Sequence, residues 1–319
     1  MESDNDVTAA TADDLPPASL GALSITITDS PRSEEKNGQL AQALYTWAHE
    51  LSRYLKLERL ARIHIAGNYH AALAALRPGG VAPIATDNEH GIGAAMSVRV
   101  PRDDGDTTEI VIAWALIEHL EEETEDGALA RYTLTHELAH AHEHRLQDAG
   151  TPGGVSTWRV ANQLEQALLV GASGLLSEYS ACRRSGWAAP LRVCGYLDML
   201  AGAAIALDED LKKAIEALGE SKTPWSNIQA ALQPVGFLYS AIGYAFGHWH
   251  GVRDTLPEAD QVRLQQQVDA IFSGPHGAAI ERAAMVALRA HDDADWTEGV
   301  AVYRPVMDDL ARMLHELGF

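Results

Sequence analysis

From Asp126 to the C-terminus, apolar residues recur at three- and four-residue steps, interrupted by Gly and Pro at 150–154, 186–190, 223–225 and 274–277. That period buries one face of a helix and cannot bury one face of a strand. It commits more than half of the 319 residues to helices, predicted near 127–147, 157–185, 190–206, 208–219, 226–248, 257–272, 277–291 and 303–317. Upstream the pattern is mixed. Leu40, Leu44, Trp47, Leu51, Tyr54 and Leu55 keep helical spacing. Arg62–Ala66, Ala94–Val100 and Glu109–Ala113 read as strands, and the DDGD turn at 103–106 joins the last two as a hairpin. Residues 1–37 are polar, carry Pro16-Pro17 and the run Glu34-Glu35-Lys36, and read as disordered, with one extended piece at Leu23–Thr28. The expected fold class is α+β and mostly helical. A disordered acidic segment (1–37) precedes an α+β core (38–188), and a helical domain (189–319) packs on that core.

Charge narrows the partners. Lys plus Arg total 24 against 45 Asp plus Glu, a net charge of −21. Nucleic acid bound over a broad surface needs a cationic footprint, and anionic lipid needs a basic patch; neither suits this chain. The most apolar stretches, 191–207 and 227–247, carry polar residues such as Asp198 and Gln233 and read as buried helices rather than membrane spans. The N-terminus lacks an apolar signal core, and two cysteines, Cys182 and Cys194, are too few for a disulfide framework. The expected location is the cytoplasm.

The stretch Arg131–His140, RYTLTHELAH, contains HExxH. Residues four apart on a helix share a face and lie about 6 Å apart along its axis. His136 and His140 can therefore converge on one ion. Glu137 sits roughly 100° around the helix. From there it reaches a metal-bound water more easily than the metal, which is the place of a general base.

Two imidazoles and a water leave such a site one protein ligand short. His144 lies about 12 Å along the axis from His136, too far to share an ion with it. Position 146 is Leu, which excludes the three-His pattern HExxHxxGxxH. Two carboxylates of the following helix remain, Glu165 and Glu178. A straight antiparallel return of the chain puts a residue near 165 level with His140. A break at Gly171 and Gly174 would release Glu178 from that count, and the surroundings of Glu178 are the more apolar.

RYTLTHELAH resembles the corresponding segment of bacterial ImmA/IrrE-like metallopeptidases. These are gluzincins, in which two His and a Glu hold zinc. The resemblance implies a compact core of helix, small sheet, HExxH helix and Glu helix, an order that fits residues 38–185. It places the third ligand in an ExxA segment, matched by Glu178-Tyr179-Ser180-Ala181 and not by Glu165-Gln166-Ala167-Leu168. It makes His136, His140 and Glu178 zinc ligands and Glu137 the base of a zinc-dependent peptidase acting on a protein or peptide. By likeness to zinc peptidases generally, the strand at 109–113 is the edge to which an extended peptide adds. Three departures stand out. Cys182 replaces an Asp that orients a ligand His, the interval from His140 to Glu178 is long, and WALIEHLEEETED is inserted at 114–126. Nothing beyond about 188 resembles a known family. A second reading makes the helical half a partner-binding module on a structural or inactive zincin core.

Lesser candidates are His248 and His250 in GHWHG, as oxyanion donors or a helix-end pair, and Tyr179, as a carbonyl-polarising or packing residue. Cys182 reads as a packed thiol, and Glu121-Glu122-Glu123 as a solvated loop.

Overall fold

A computed structural model describes residues 15–77, 83, 87–88, 91–151, 158–219, 223–292 and 294–319. The chain is α+β and mostly helical. Its first part comprises β1 (Ser24–Thr28), α1 (Glu34–Leu51), β2 (Leu60–Ala66), α2 (Tyr69–Leu76), β3 (Asp87–Asn88), β4 (Gly91–Ile92), β5 (Ala95–Val100) and β6 (Thr107–Ala113). Then follow α3 (Glu125–Gly150), α4 (Gln163–Ser185), α5 (Val193–Glu216), α6 (Pro224–Val252), α7 (Glu258–Phe272), α8 (Gly277–Asp292), a 3-10 stretch (Trp296–Tyr303) and α9 (Arg304–Glu316).

The main sheet has the order β1-β2-β6-β5. β1 and β6 run parallel to β2, and β5 closes an antiparallel hairpin on β6 with Val100 opposite Thr107. Ile63, Ile65, Ile110 and Ile112 face α1 and α3, while Val98, Val100 and Val111 pack with Tyr69 and Leu73 of α2. β6 is thus apolar on both faces because both are covered. This corrects the expectation for 109–113: β6 lies inside the sheet, and β5 is the edge beside α3.

The N-terminal expectation is also corrected. Residues 1–14 lie outside the described residues, but 15–37 are ordered in part. β1 joins the sheet along Ile25 and Ile27, and Ser33 caps α1 by accepting from the Lys36 N–H. The extended piece expected at Leu23–Thr28 is β1, and the segment around it is held by that backbone pairing and by the start of α1 at Glu34.

α3 starts at Thr124, whose side chain accepts from the Gly127 N–H, with Glu125 and Asp126 suited to the positive end of the helix dipole. Ala130, Leu134, Leu138 and Ala141 pack toward the sheet. Tyr132, His136, Glu137, Glu143 and Gln147 are buried too, because α4 and the segment before α9 cover the opposite side. α3 is therefore a middle layer, buried nearly all round.

The apolar clusters separate between α3 and α4. Leu168, Leu169, Ala172, Leu175, Leu176 and Tyr179 belong to the same core as α5–α9. The boundary expected near 188 falls inside that helical core, because α4 packs chiefly on α6. The two helices expected at 190–206 and 208–219 are one continuous α5, and α4 is continuous through Gly171 and Gly174. Among the described residues, Pro190–Glu216 alone is long and apolar enough to cross a membrane, and 33% of its most apolar window is buried in the fold. Its Leu197, Leu200, Ala204, Leu207 and Leu211 form part of the helical core.

Candidate metal centre

The structure brings His136, His140 and Glu178 together. His136 Nε2 lies 3.0 Å from His140 Nε2 and 3.2 Å from Glu178 Oε2, and His140 Nε2 lies 3.5 Å from the same oxygen. Donor atoms about 2.0–2.1 Å from a tetrahedral centre are about 3.3 Å apart, so three such atoms fit one ion. The side chains are 9%, 12% and 20% exposed, and Glu178 Oε2 is buried without accepting a well-formed hydrogen bond. A buried carboxylate facing two imidazoles is costly unless a cation or proton is shared among them. Burial opposes protonation of His140, but the Glu178 carboxylate lifts its pKa to about 9, with Glu137 and Glu143 adding to it. Burial likewise works against the Glu178 charge, yet the two imidazoles hold its carboxyl well below the usual range.

Glu165 is elsewhere. Its carboxylate accepts from the Ala161 N–H and pairs with Arg304, at the N-cap turn that Asn162 opens. Straight-return counting failed because α3 runs on to Gly150 and α4 begins only at Gln163, so the residue beside His140 is Ser177.

Glu137 is held by β5: the Ser97 hydroxyl donates to Glu137 Oε2 at 2.7 Å and contacts its carbonyl oxygen at 2.9 Å. Two phenols feel the charge of this carboxylate. The Tyr69 hydroxyl of α2 is buried without a partner, and burial followed by the Glu137 charge pushes its pKa up to about 12. The Tyr244 ring of α6 stacks on His136 at 5.8 Å and 13°, and on Tyr196 at 5.1 Å. Burial, then Glu178, and more weakly Glu137, push the Tyr244 phenol well above its ordinary range. Neither phenol was legible in the sequence, since each arrives from a separate helix with no motif of its own.

Behind the imidazoles the two histidines differ. His140 Nδ1 meets Ser177 Oγ at 3.0 Å. His136 Nδ1 meets the Cys182 sulfur at 3.7 Å, and that sulfur also contacts the Tyr132 hydroxyl at 3.2 Å. Cys182 and Cys194 are free, and burial raises the Cys182 pKa well above the thiol range. His248 is fully buried against Tyr132 and Tyr196, and burial lowers its pKa to about 4. The Tyr179 hydroxyl is taken up by His250 Nδ1 at 2.6 Å. Neither His250 nor Tyr179 belongs to the metal cluster.

The chain matches no protein-family model, no curated protein and no solved structure.

Proposed function

We propose that this chain is a zinc-dependent peptidase of gluzincin type, acting on a protein or peptide in the cytoplasm. The observation that carries this reading is the convergence of His136 Nε2, His140 Nε2 and Glu178 Oε2, with Glu137 on the adjoining flank of α3. Zinc held by these three atoms would polarise a scissile carbonyl and acidify a bound water. Glu137 would serve as the base, taking a proton from the attacking water at its carboxylate and passing it to the leaving nitrogen. Ser97 holds the carboxylate in place by its hydrogen bond to Oε2. The Tyr244 phenol, protonated at neutral pH, is a hydrogen-bond donor for the carbonyl oxygen as negative charge develops there.

The binding edge in this reading is β5 rather than β6. Among the described residues β5 pairs with β6 alone. Its Ser97 touches Glu137, so an extended peptide added along its free side lies beside the base. The free thiols suit a reducing compartment.

Glu137→Gln tests the reading. Wild-type protein and the variant are loaded with zinc and incubated with a peptide library from a denatured proteome, and new termini are read by mass spectrometry. The expected result is cleavage by the wild type, none by Glu137→Gln, and equal zinc in both. A zinc-replete wild type that cleaves nothing would favour a partner-binding protein.

A further inference from the structure

We infer that Ser177 and Glu143 form a hydroxyl-bridged carboxylate relay that positions His140 for the metal, and that Tyr303 and Gln147 anchor this relay to the C-terminal segment. The inference rests on the zinc reading and adds to it residues that the HExxH and ExxA motifs do not include.

The proton positions follow from the chemistry of the ligand. An imidazole that offers its Nε2 lone pair to a metal must carry its hydrogen on Nδ1. His140 Nδ1–H then donates to Ser177 Oγ, 3.0 Å away. Ser177 has one hydroxyl hydrogen, and it donates that hydrogen to Glu143 Oε2 at 2.8 Å. The other oxygen of Glu143 accepts from Gln147 Nε2 at 2.8 Å and from the Tyr303 hydroxyl at 3.2 Å. With Nε2 given to a metal, the direction from His140 through Ser177 to the Glu143 carboxylate follows, and Gln147 Nε2 donates both to that carboxylate and to the Tyr303 hydroxyl.

Glu143 is 2% exposed. A carboxylate buried to that degree is costly unless donors converge on it, and three do. It stands three residues beyond His140 on α3, on the face that α4 covers. Gln147 follows one turn later, bonded in turn to Arg99 of β5 and to Tyr303. Tyr303 lies 160 residues from Glu143 in the chain. The last segment of the helical half thus reaches a metal ligand through two side chains. His136 has no such support: its Nδ1 faces a sulfur, a weak acceptor. Loss of the relay therefore falls on the more firmly held of the two imidazoles.

Zinc affinity of the full chain, measured by competition with a chromophoric chelator at fixed pH, tests this without any substrate. Ser177→Ala and Glu143→Gln are expected to weaken zinc by about 10–100-fold, the usual cost of removing an outer partner of a ligand imidazole. Ser177→Thr keeps the hydroxyl and should bind within about threefold of wild type, and Tyr303→Phe should lose at least about threefold. If Ser177→Ala binds zinc as wild type does, the relay is overturned, even where melting temperature falls equally in the apo and loaded forms. Should Glu143→Gln fail to fold, Ser177→Ala with Ser177→Thr decides alone. Zinc retained by His140→Ala would sink the metal reading itself. Zinc lost by His140→Ala but kept by Ser177→Ala would sink only the relay.

Discussion

Gly247 of α6 lies so close to Tyr179 of α4 that a methyl group in place of its hydrogen would sit 2.3 Å from the Tyr179 carbonyl oxygen. The same approach repeats at four-residue steps: Gly243 faces the Leu175 carbonyl and Glu178 Cβ, and Gly251 faces the Arg183 carbonyl. Three glycines on one face of α6 therefore let the two backbones meet along the stretch of α4 that carries Glu178. Gly247→Ala should destabilise the protein by about 1–3 kcal/mol through overpacking, and lower zinc affinity as α4, which carries Glu178, is pushed from α6. Gly236 of the same helix has open space around it. Gly236→Ala should be neutral or stabilising by up to about 1 kcal/mol. Urea unfolding of both variants separates a contact effect from helix propensity.

The third ligand is decided by two substitutions. Glu178→Ala should lose most bound zinc, as should His136→Ala and His140→Ala. Glu165→Ala should keep zinc affinity within a few-fold, while losing the Arg304 pair and part of the α4 N-terminal turn. Metal analysis after dialysis checks this, and zinc lost only from Glu165→Ala would reverse the assignment.

Tyr244→Phe retains the ring stacked on His136 and removes only the hydroxyl. It should leave zinc content and melting temperature unchanged and slow peptide cleavage by about 10²-fold or more, the scale of one lost donor to a developing oxyanion. Cleavage at the wild-type rate, alongside an inactive Glu137→Gln, would show that Tyr244 only packs.

Acid should weaken the fold through His250 and His291. Burial, reinforced by Arg253 and Arg183 at His250 and by Arg184 and Arg183 at His291, lowers each pKa from 6.5 to about 4; Asp292 opposes at both, and Asp254 at His250. The unfolded chain takes up these protons near pH 6.5 and the folded chain only near pH 4. The unfolded state therefore binds more protons across that window, and stability falls as pH drops from about 6.5 to 4. Above 6.5 these groups contribute no slope. Each is expected to account for on the order of 1–3 kcal/mol over the window. Denaturant midpoints at several pH values should fall less steeply in a His250→Gln/His291→Gln double variant than in wild type.

What could be read from the residues alone was local. His136, Glu137 and His140 owe their relative places to the rise and twist of a single helix, and the β5–β6 hairpin to a turn between two short strands. The run Glu109-Ile110-Val111-Ile112-Ala113, apolar at successive positions, already carried the mark of an interior strand, but a general likeness to zinc peptidases made it an edge. Which carboxylate completes the cluster depended on the length of α3 and on where α4 restarts, so counting back along an assumed straight hairpin pointed to Glu165, whereas the ExxA resemblance pointed to Glu178, the residue that meets the imidazoles.

The sequence by itself determined the mostly helical α+β class, the paired imidazoles and the adjoining carboxylate, because helical spacing acts over four residues and needs no partner. The tertiary structure alone decided that Ser177, Tyr244 and Tyr303 join Glu178 around that helix. These residues come from segments tens to more than a hundred positions away. Their meeting depends on how closely α4 approaches α6 over three glycines, and on how the segment before α9 closes on α3, and no periodicity within a single element encodes either distance.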